Sequence, residues 1–180
     1  MGPNPTSGST PRATTSTRWS QTHARSSRRR SPTRRNVGAF FHDSSVPAPM
    51  SVSELLERAR EIQSSAHVPY SEYRVGAALE TTDGAVFVGC NLENANFSNS
   101  LHAEEVAIAE AVKNGHRDFD RIAVSSSRRD GVTPCGMCRQ TLAEFCADDL
   151  VIVCDEGDEQ PTEYTLGELL PNTISEATLE

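Results

Sequence analysis

The sequence predicts an α/β fold, one mixed sheet of about five strands covered by helices on both faces. Three observations carry that expectation: an amphipathic helix at residues 51–65, a β-hairpin behind it, and two further apolar strand segments each preceded by a helical pattern. At 180 residues there is room for one ordinary domain, which can bury a sizeable core without disulfides.

The first helix starts at Ser51. Ser51 and Glu54 have the spacing of a capping box, Met50 and Leu55 flank it as a hydrophobic staple, and Val52, Leu55, Leu56, Ala59 and Ile62 form one apolar stripe. Beyond Pro69, the β-prone runs 75–80 and 85–90 enclose Asp83-Gly84, a hairpin signal. Residues 91–100 are rich in Asn and Ser, and then Leu101, Val106, Ile108, Ala109 and Val112 repeat at helical spacing until Asn114-Gly115. His102, Ala103 and Glu104 therefore belong to that helix's first turn. A short strand is expected at 122–124, a polar loop at 128–133, and a helix entered from Pro134, which places Cys135 and Cys138 on its first turn. Residues 150–154 read as a buried strand, 155–161 as an acidic loop and 166–170 as a short helix stopped by Pro171.

The charge of −8 conceals a division. Residues 1–49 hold eight Arg against Asp43 alone, with sixteen Ser or Thr and six Pro, and no face that could be buried. This segment is expected to be disordered. It fits a transit peptide, a nucleic-acid-binding arm, or an extension upstream of a true start at Met50, and the helix start at Met50 favours the last. Residues 50–180, the expected catalytic domain, hold nine basic and 24 acidic residues, a balance of −15 in which Lys113 is the sole lysine. That balance repels polyanions, argues against a nucleic-acid partner, and points to a salt-adapted source. No apolar run approaches the roughly 18 residues of a membrane span, and no signal-peptide core is present. A soluble, cytoplasmic protein without a membrane partner is expected. The five cysteines suggest reduced thiols, some of them metal ligands, rather than a disulfide framework.

Cys135 and Cys138, three apart on a helix, can grip one ion from a single turn. A catalytic zinc takes three protein ligands and leaves the fourth position to water. His102 is the better third ligand, since His116 lies in an exposed-looking Asn-Gly-His-Arg-Asp stretch. The positive ends of two helix dipoles would then face the metal. Glu104, two residues from His102, diverges by about 200° on a helix and is free to act as general acid and base. Three other readings compete. Cys-Gly-Met-Cys alone resembles a redox dithiol but leaves His102 to Glu104 and Asn91-Leu92-Glu93 unexplained. A purely structural zinc module lacks a fourth ligand, because Cys90, Cys146 and Cys154 sit in apolar contexts. Taken singly, a helix-start His or Glu is more often a cap or a dipole partner.

The run His102-Ala103-Glu104 followed by Pro134-Cys135-Gly136-Met137-Cys138 resembles the signature of zinc-dependent nucleoside and nucleobase deaminases. Together with residues 69–78 (Pro-Tyr-Ser-Glu-Tyr-Arg-Val-Gly-Ala-Ala) and Asn91-Leu92-Glu93-Asn94-Ala95, it makes residues 50–172 similar to a cytidine deaminase of the short, homotetrameric kind. The resemblance implies a three-layer α/β/α fold, one Zn²⁺ per subunit and active sites near subunit interfaces. It implies hydrolytic deamination of cytidine and 2′-deoxycytidine to uridine and 2′-deoxyuridine plus ammonia, as in pyrimidine salvage. Zinc would activate a water that attacks C4, and Glu104 would carry protons to N3 and to the leaving ammonia. Asn91 and Glu93 would bind the ribose hydroxyls, Tyr73 and Phe97 would lie at the base, and the backbone at Ala103 would hold the pyrimidine. A free nucleoside suits the acidic surface better than RNA or DNA, with blasticidin-type and nucleotide substrates behind it.

Four departures stand out. Short family members mostly read Cys-Ala-Glu-Arg where this chain has His102-Ala103-Glu104-Glu105, so one thiolate and one arginine are absent together. A neutral imidazole leaves the two-thiolate zinc set formally uncharged, and the arginine becomes dispensable. His-Ala-Glu is the form of the longer dimeric members, yet only 42 residues follow Cys138, too few for their extra domain. Phe97 stands where many members have Tyr, and Pro171-Asn172-Thr173-Ile174 puts an aliphatic where the family's C-terminal aromatic is expected.

Overall fold

The structure is a computed structural model that describes residues 49–174 and Thr178. The expectation of a disordered tail at residues 1–49 falls, apart from Pro49, outside the described residues. The elements follow as α1 (Val52–Ile62), β1 (Val75–Thr81), β2 (Val86–Cys90), α2 (Ala103–Lys113), β3 (Phe119–Ser126), α3 (Gly136–Phe145), β4 (Val151–Cys154), β5 (Thr162–Thr165) and α4 (Leu166–Leu169). One sheet of order β2-β1-β3-β4-β5 runs through the centre. It is mixed: β3 and β4 are parallel, and every other pair is antiparallel.

α1 begins as its capping box dictates, with the Glu54 amide donating to Ser51 Oγ at 3.2 Å and the Ser51 amide donating to Glu54 at 2.8 Å. Its stripe, Leu55, Leu56 and Ala59, packs on Ala78, Ala123 and Val153 on one face of the sheet. α2 buries Ala103, Ala107, Ile108 and Ala111 on the opposite face, against Ala77, Leu79, Ile122, Val124 and Ile152, with Leu142 of α3 beside them. Consecutive strand residues point to opposite faces, so the alternation through 77–79 and 122–124 feeds both cores. Helices on both faces of a five-stranded sheet make the three layers the sequence led us to expect.

Two strand glycines set how closely the layers approach. A Cβ on Gly76 would lie 2.0 Å from the Ala59 carbonyl oxygen of α1, and one on Gly89 would lie 2.2 Å from that of Ala103 and 2.5 Å from the Ala107 amide. Backbone thus rests on backbone on each side.

Two polar clusters tie α1 to the sheet. Buried Glu80 accepts from the Met50 amide and from Arg121, whose guanidinium also reaches the Met50 carbonyl. At the other end, Asp155 accepts from Arg60 Nε at 2.7 Å and from Ser125 Oγ at 2.5 Å, while Gln63 donates to Ser125 Oγ.

Some bounds differ from expectation. β3 is eight residues long rather than three, because Arg121 is accommodated by Glu80 and Phe119 pairs with Thr81 across a register shift. β5 has no apolar rhythm and is made a strand by pairing with β4 at the sheet edge. α3 begins at Gly136 after Cys135, so Pro134 is buried ahead of the helix instead of opening it.

Candidate metal centre and active-site cleft

His102 and Cys135 are the residues that cap α2 and α3. Both are extended, with φ/ψ of −89°/156° and −66°/168°, so each side chain turns back across the start of its helix. Cys138 sits inside the first turn of α3, and its amide donates to Cys135 Sγ at 3.5 Å. The three donor atoms converge: His102 Nδ1 lies 3.1 Å from Cys138 Sγ and 3.2 Å from Cys135 Sγ, and the two sulfurs are 3.5 Å apart.

Zinc–sulfur and zinc–nitrogen bonds of about 2.3 and 2.0 Å at a tetrahedral angle span edges of about 3.5 to 3.8 Å. The observed triangle is a few tenths of an ångström tighter and has the right shape for three vertices of one coordination sphere. The donor set therefore fits zinc. Among the described residues, this trio is the group of His, Cys, Asp and Glu side chains able to hold a metal ion. The half-buried His116 stands apart, tilted on Phe87 at 4.9 Å and 3.6 Å from Asp83. Cys90 and Cys154 are buried and Cys146 is half-buried, in agreement with their reading as core thiols.

Cys135 meets Cys138 as an extended cap ahead of α3 rather than from a position within the helix, and His102 reaches both sulfurs as the extended cap of α2. Glu104 follows His102 on α2 and is 5 % exposed, with its carboxylate against the Cys138 thiol. Burial pushes the Glu104 carboxyl above its ordinary range, and the Cys138 contact and His102 offset part of that push. Burial likewise drives the Cys138 thiol far up, with Glu104 adding its charge. A cation between the sulfurs reverses that balance, because a coordinating thiol is deprotonated outright.

A cleft of about 220 Å³ opens over this centre, lined by Tyr73, Val75, Asn91, His102, Ala103, Glu104, Val132, Thr133 and Cys135. Tyr73, Asn91 and Ala103 thus line the same cleft as His102, Glu104 and Cys135. Asn91 is engaged on both sides of its amide: Oδ1 accepts from the Val75 amide at 2.9 Å and Nδ2 donates to the Tyr73 carbonyl at 2.8 Å. One N–H and one lone pair remain for a ligand. Glu93 lies outside the lining and accepts from the amides of Tyr70 and Ser71 and from the Ser71 hydroxyl, which holds the turn before Tyr73. Those bonds keep its carboxyl below the usual range.

Phe97 is not brought to the cleft. It stands on a short 3₁₀ turn, 71 % exposed, edge-on to Tyr70 with ring centres 5.6 Å apart. Ile174 is also exposed, and its carbonyl accepts from Gln140. Val75, Val132 and Thr133 are lining residues that sequence reasoning missed. Thr133, directly before Pro134-Cys135, carried a signal by position. Val132 carried none.

Glu105, where an arginine was expected, has structural work of its own. Its carboxylate accepts from the His102 amide at 3.1 Å and lies 3.4 Å from the Thr141 hydroxyl, steadying the turn that carries the ligand.

Residues 50–154 match the family described as the cytidine and deoxycytidylate deaminase zinc-binding region. A cytidine deaminase of Sporosarcina psychrophila is 38 % identical over 130 residues, covering 72 % of this chain and 96 % of that protein. One from Halalkalibacterium halodurans is 41 % identical over 123 residues, covering 67 % and 92 %. The crystal structure of cytidine deaminase from Burkholderia pseudomallei superposes with a TM-score of 0.67 at 37 % identity, over 69 % of this chain and all of that one. Donor geometry, sheet order and sequence agree, and the chain belongs to the zinc-binding cytidine and deoxycytidylate deaminase family.

Proposed function

We propose that this chain catalyses hydrolytic deamination of cytidine and 2′-deoxycytidine, releasing ammonia, with residues 50–180 as the catalytic domain. The observation that carries the reading is the triangle of His102, Cys135 and Cys138 donors with Glu104 buried at its side on the floor of a nucleoside-sized cleft. His102, Cys135 and Cys138 would hold a zinc ion, which would supply Lewis acidity and lower the pKa of a water toward about 7.

The chain's own groups do the rest. Glu104 takes the proton of the water that attacks C4, delivers it to N3, and carries a second proton to the departing amine. Burial suits a carboxyl that must both accept and donate within one turnover. The first amides of α2, at Ala103, lie on the cleft wall and can hold the pyrimidine carbonyl oxygen. Tyr73 lies along the base, and Asn91 offers its spare N–H and lone pair to the ribose. Glu93 orders the Tyr70–Tyr73 turn and presents a carboxylate edge to the sugar. Phe97 meets substrate only by way of a moved loop or a neighbouring subunit.

We further infer a homotetramer in the cytoplasm, acting in pyrimidine salvage. The apolar side chains of Tyr70, Leu92, Phe97 and Leu101, all exposed around residues 91–101, support burial against another copy.

The test is conversion of cytidine to uridine by protein expressed from Met50, with zinc measured alongside. About one zinc per chain, turnover of cytidine, and loss of both on prolonged chelation are expected. Bound zinc without turnover of cytidine, 2′-deoxycytidine, cytidylate or blasticidin S overturns the reading in favour of a structural metal module.

A further inference from the structure

Arg139 follows Cys138 on α3 and spends three nitrogens on two segments, the 133–134 loop and the end of α4. Nε donates to the Pro134 carbonyl at 2.7 Å, Nη1 to the Leu169 carbonyl at 2.7 Å and Nη2 to Thr133 Oγ1 at 2.8 Å. No ion pair joins it to a carboxylate among the described residues. A half-buried guanidinium that forgoes an acidic partner and spends its donors on two carbonyls and a hydroxyl calls for an explanation, because a partly desolvated cation is costly unless its bonds repay it.

We propose that Arg139 is the positioning residue of the centre, fixing the Cys135 arm and the Thr133 wall of the cleft to the end of α4. The inference rests on the deaminase reading for its activity arm and on geometry alone for its metal arm. Thr133 and Cys135 line the cleft, and Pro134 joins them. One rigid fork therefore sets both where a ligand meets the wall and where Cys135 Sγ stands relative to Cys138. By accepting from Nη2, the Thr133 hydroxyl has one lone pair committed and its own hydrogen left to turn elsewhere. The third bond extends the clamp to Leu169, and the neighbouring Gln140 holds Thr173 and Ile174, so the segment after α4 is strapped to the helix that bears the thiols.

Lysine cannot replace the fork, since one ammonium nitrogen stands in place of three separated ones. The test uses the full chain loaded with Co²⁺, whose thiolate-to-cobalt and ligand-field absorption bands report donor geometry, and the zinc form assayed on cytidine. Arg139→Lys and Arg139→Gln are expected to move the cobalt bands and to lower metal affinity or kcat/KM about 10- to 100-fold, as loss of a group supporting metal ligands does. Thr133→Val, which removes one acceptor and leaves the other two, is expected to move the same readouts the same way by less.

Cobalt bands at the parent's position, with metal affinity and kcat/KM close to the parent's in the folded variants, overturn the proposal. So does an activity loss that follows only the folded fraction. Should both Arg139 variants fail to fold, Thr133→Val decides by the same criteria. Wild-type protein inert on cytidine ends the deaminase reading, whereas bands that move in Arg139→Lys sustain the positioning role independently of substrate.

Discussion

Replacing Glu104 by Gln isolates the proton chemistry from the metal. The amide has the carboxylate's shape and sits at a site 5 % exposed, so the fold has no reason to change. Glu104 is not among the three converging donors, so zinc is expected to stay near one per chain. What disappears is the ability to take a proton and give it back. A positioned acid–base group contributes about 10² to 10⁴ in rate. Glu104 is asked to serve the attack and the departure of ammonia in turn, so the upper end applies. A fall of about 10⁴ in kcat corresponds to roughly 5.4 kcal/mol of transition-state stabilisation. Because burial penalises the charged carboxylate, the metal-free variant is expected to melt no lower than the parent. The assay is uridine production under saturating cytidine, with zinc by atomic absorption and melting on the same sample. A variant with full zinc and kcat within about tenfold of the parent would refute the role, since tenfold is only about 1.4 kcal/mol.

Three further outcomes follow from packing and charge. Gly89→Ala drives a methyl into the α2 backbone at Ala103 and Ala107, and overpacking of this kind costs about 1–3 kcal/mol or more, so denaturant melts should show the loss and zinc content should fall with it. Asp155 is held below its ordinary value of 3.8: its burial opposes ionisation, but Arg60, Ser125 and the Gly157 amide outweigh it. A folded pKa lower than the unfolded one gives stability that is present above about pH 4 and lost as pH falls through the folded value. Asp155→Asn should therefore flatten acid unfolding in that window, and an unchanged pH profile would count against the network. Finally, the −15 balance of residues 50–180 implies a melting temperature that rises between low and molar salt as repulsion is screened, and a flat response would remove the case for salt adaptation.

The parts of the fold legible in sequence were those written in local rules. Ser51 and Glu54 define a capping box by themselves, Asp83-Gly84 defines a hairpin, and both recur in the structure. β5 could not be read because Thr162–Thr165 is polar and is a strand only by virtue of β4 beside it. The centre was legible because His-x-Glu and Cys-x-x-Cys each name a metal chemistry, and their meeting follows from two helix starts converging on one point. The aiming is done by the extended caps at His102 and Cys135, whose conformation spacing alone does not specify. Glu93 accepts from the Tyr70 and Ser71 amides and Phe97 faces solvent beside Tyr70, and neither arrangement is encoded in its immediate neighbours.

The parallel pairing of β3 with β4 has a consequence for how the protein comes apart. Parallel strands need a crossover, and here α3 is that crossover, so Cys135 and Cys138 ride on a connection that closes only once β4 has docked. His102 belongs to the preceding connection, from β2 to β3. The donors meet across 36 and 33 residues of sequence, so an ion bound across them is expected to be a contact made after the folding transition state. Metal then acts as a latch on the finished molecule: its removal should speed unfolding while leaving refolding nearly unchanged.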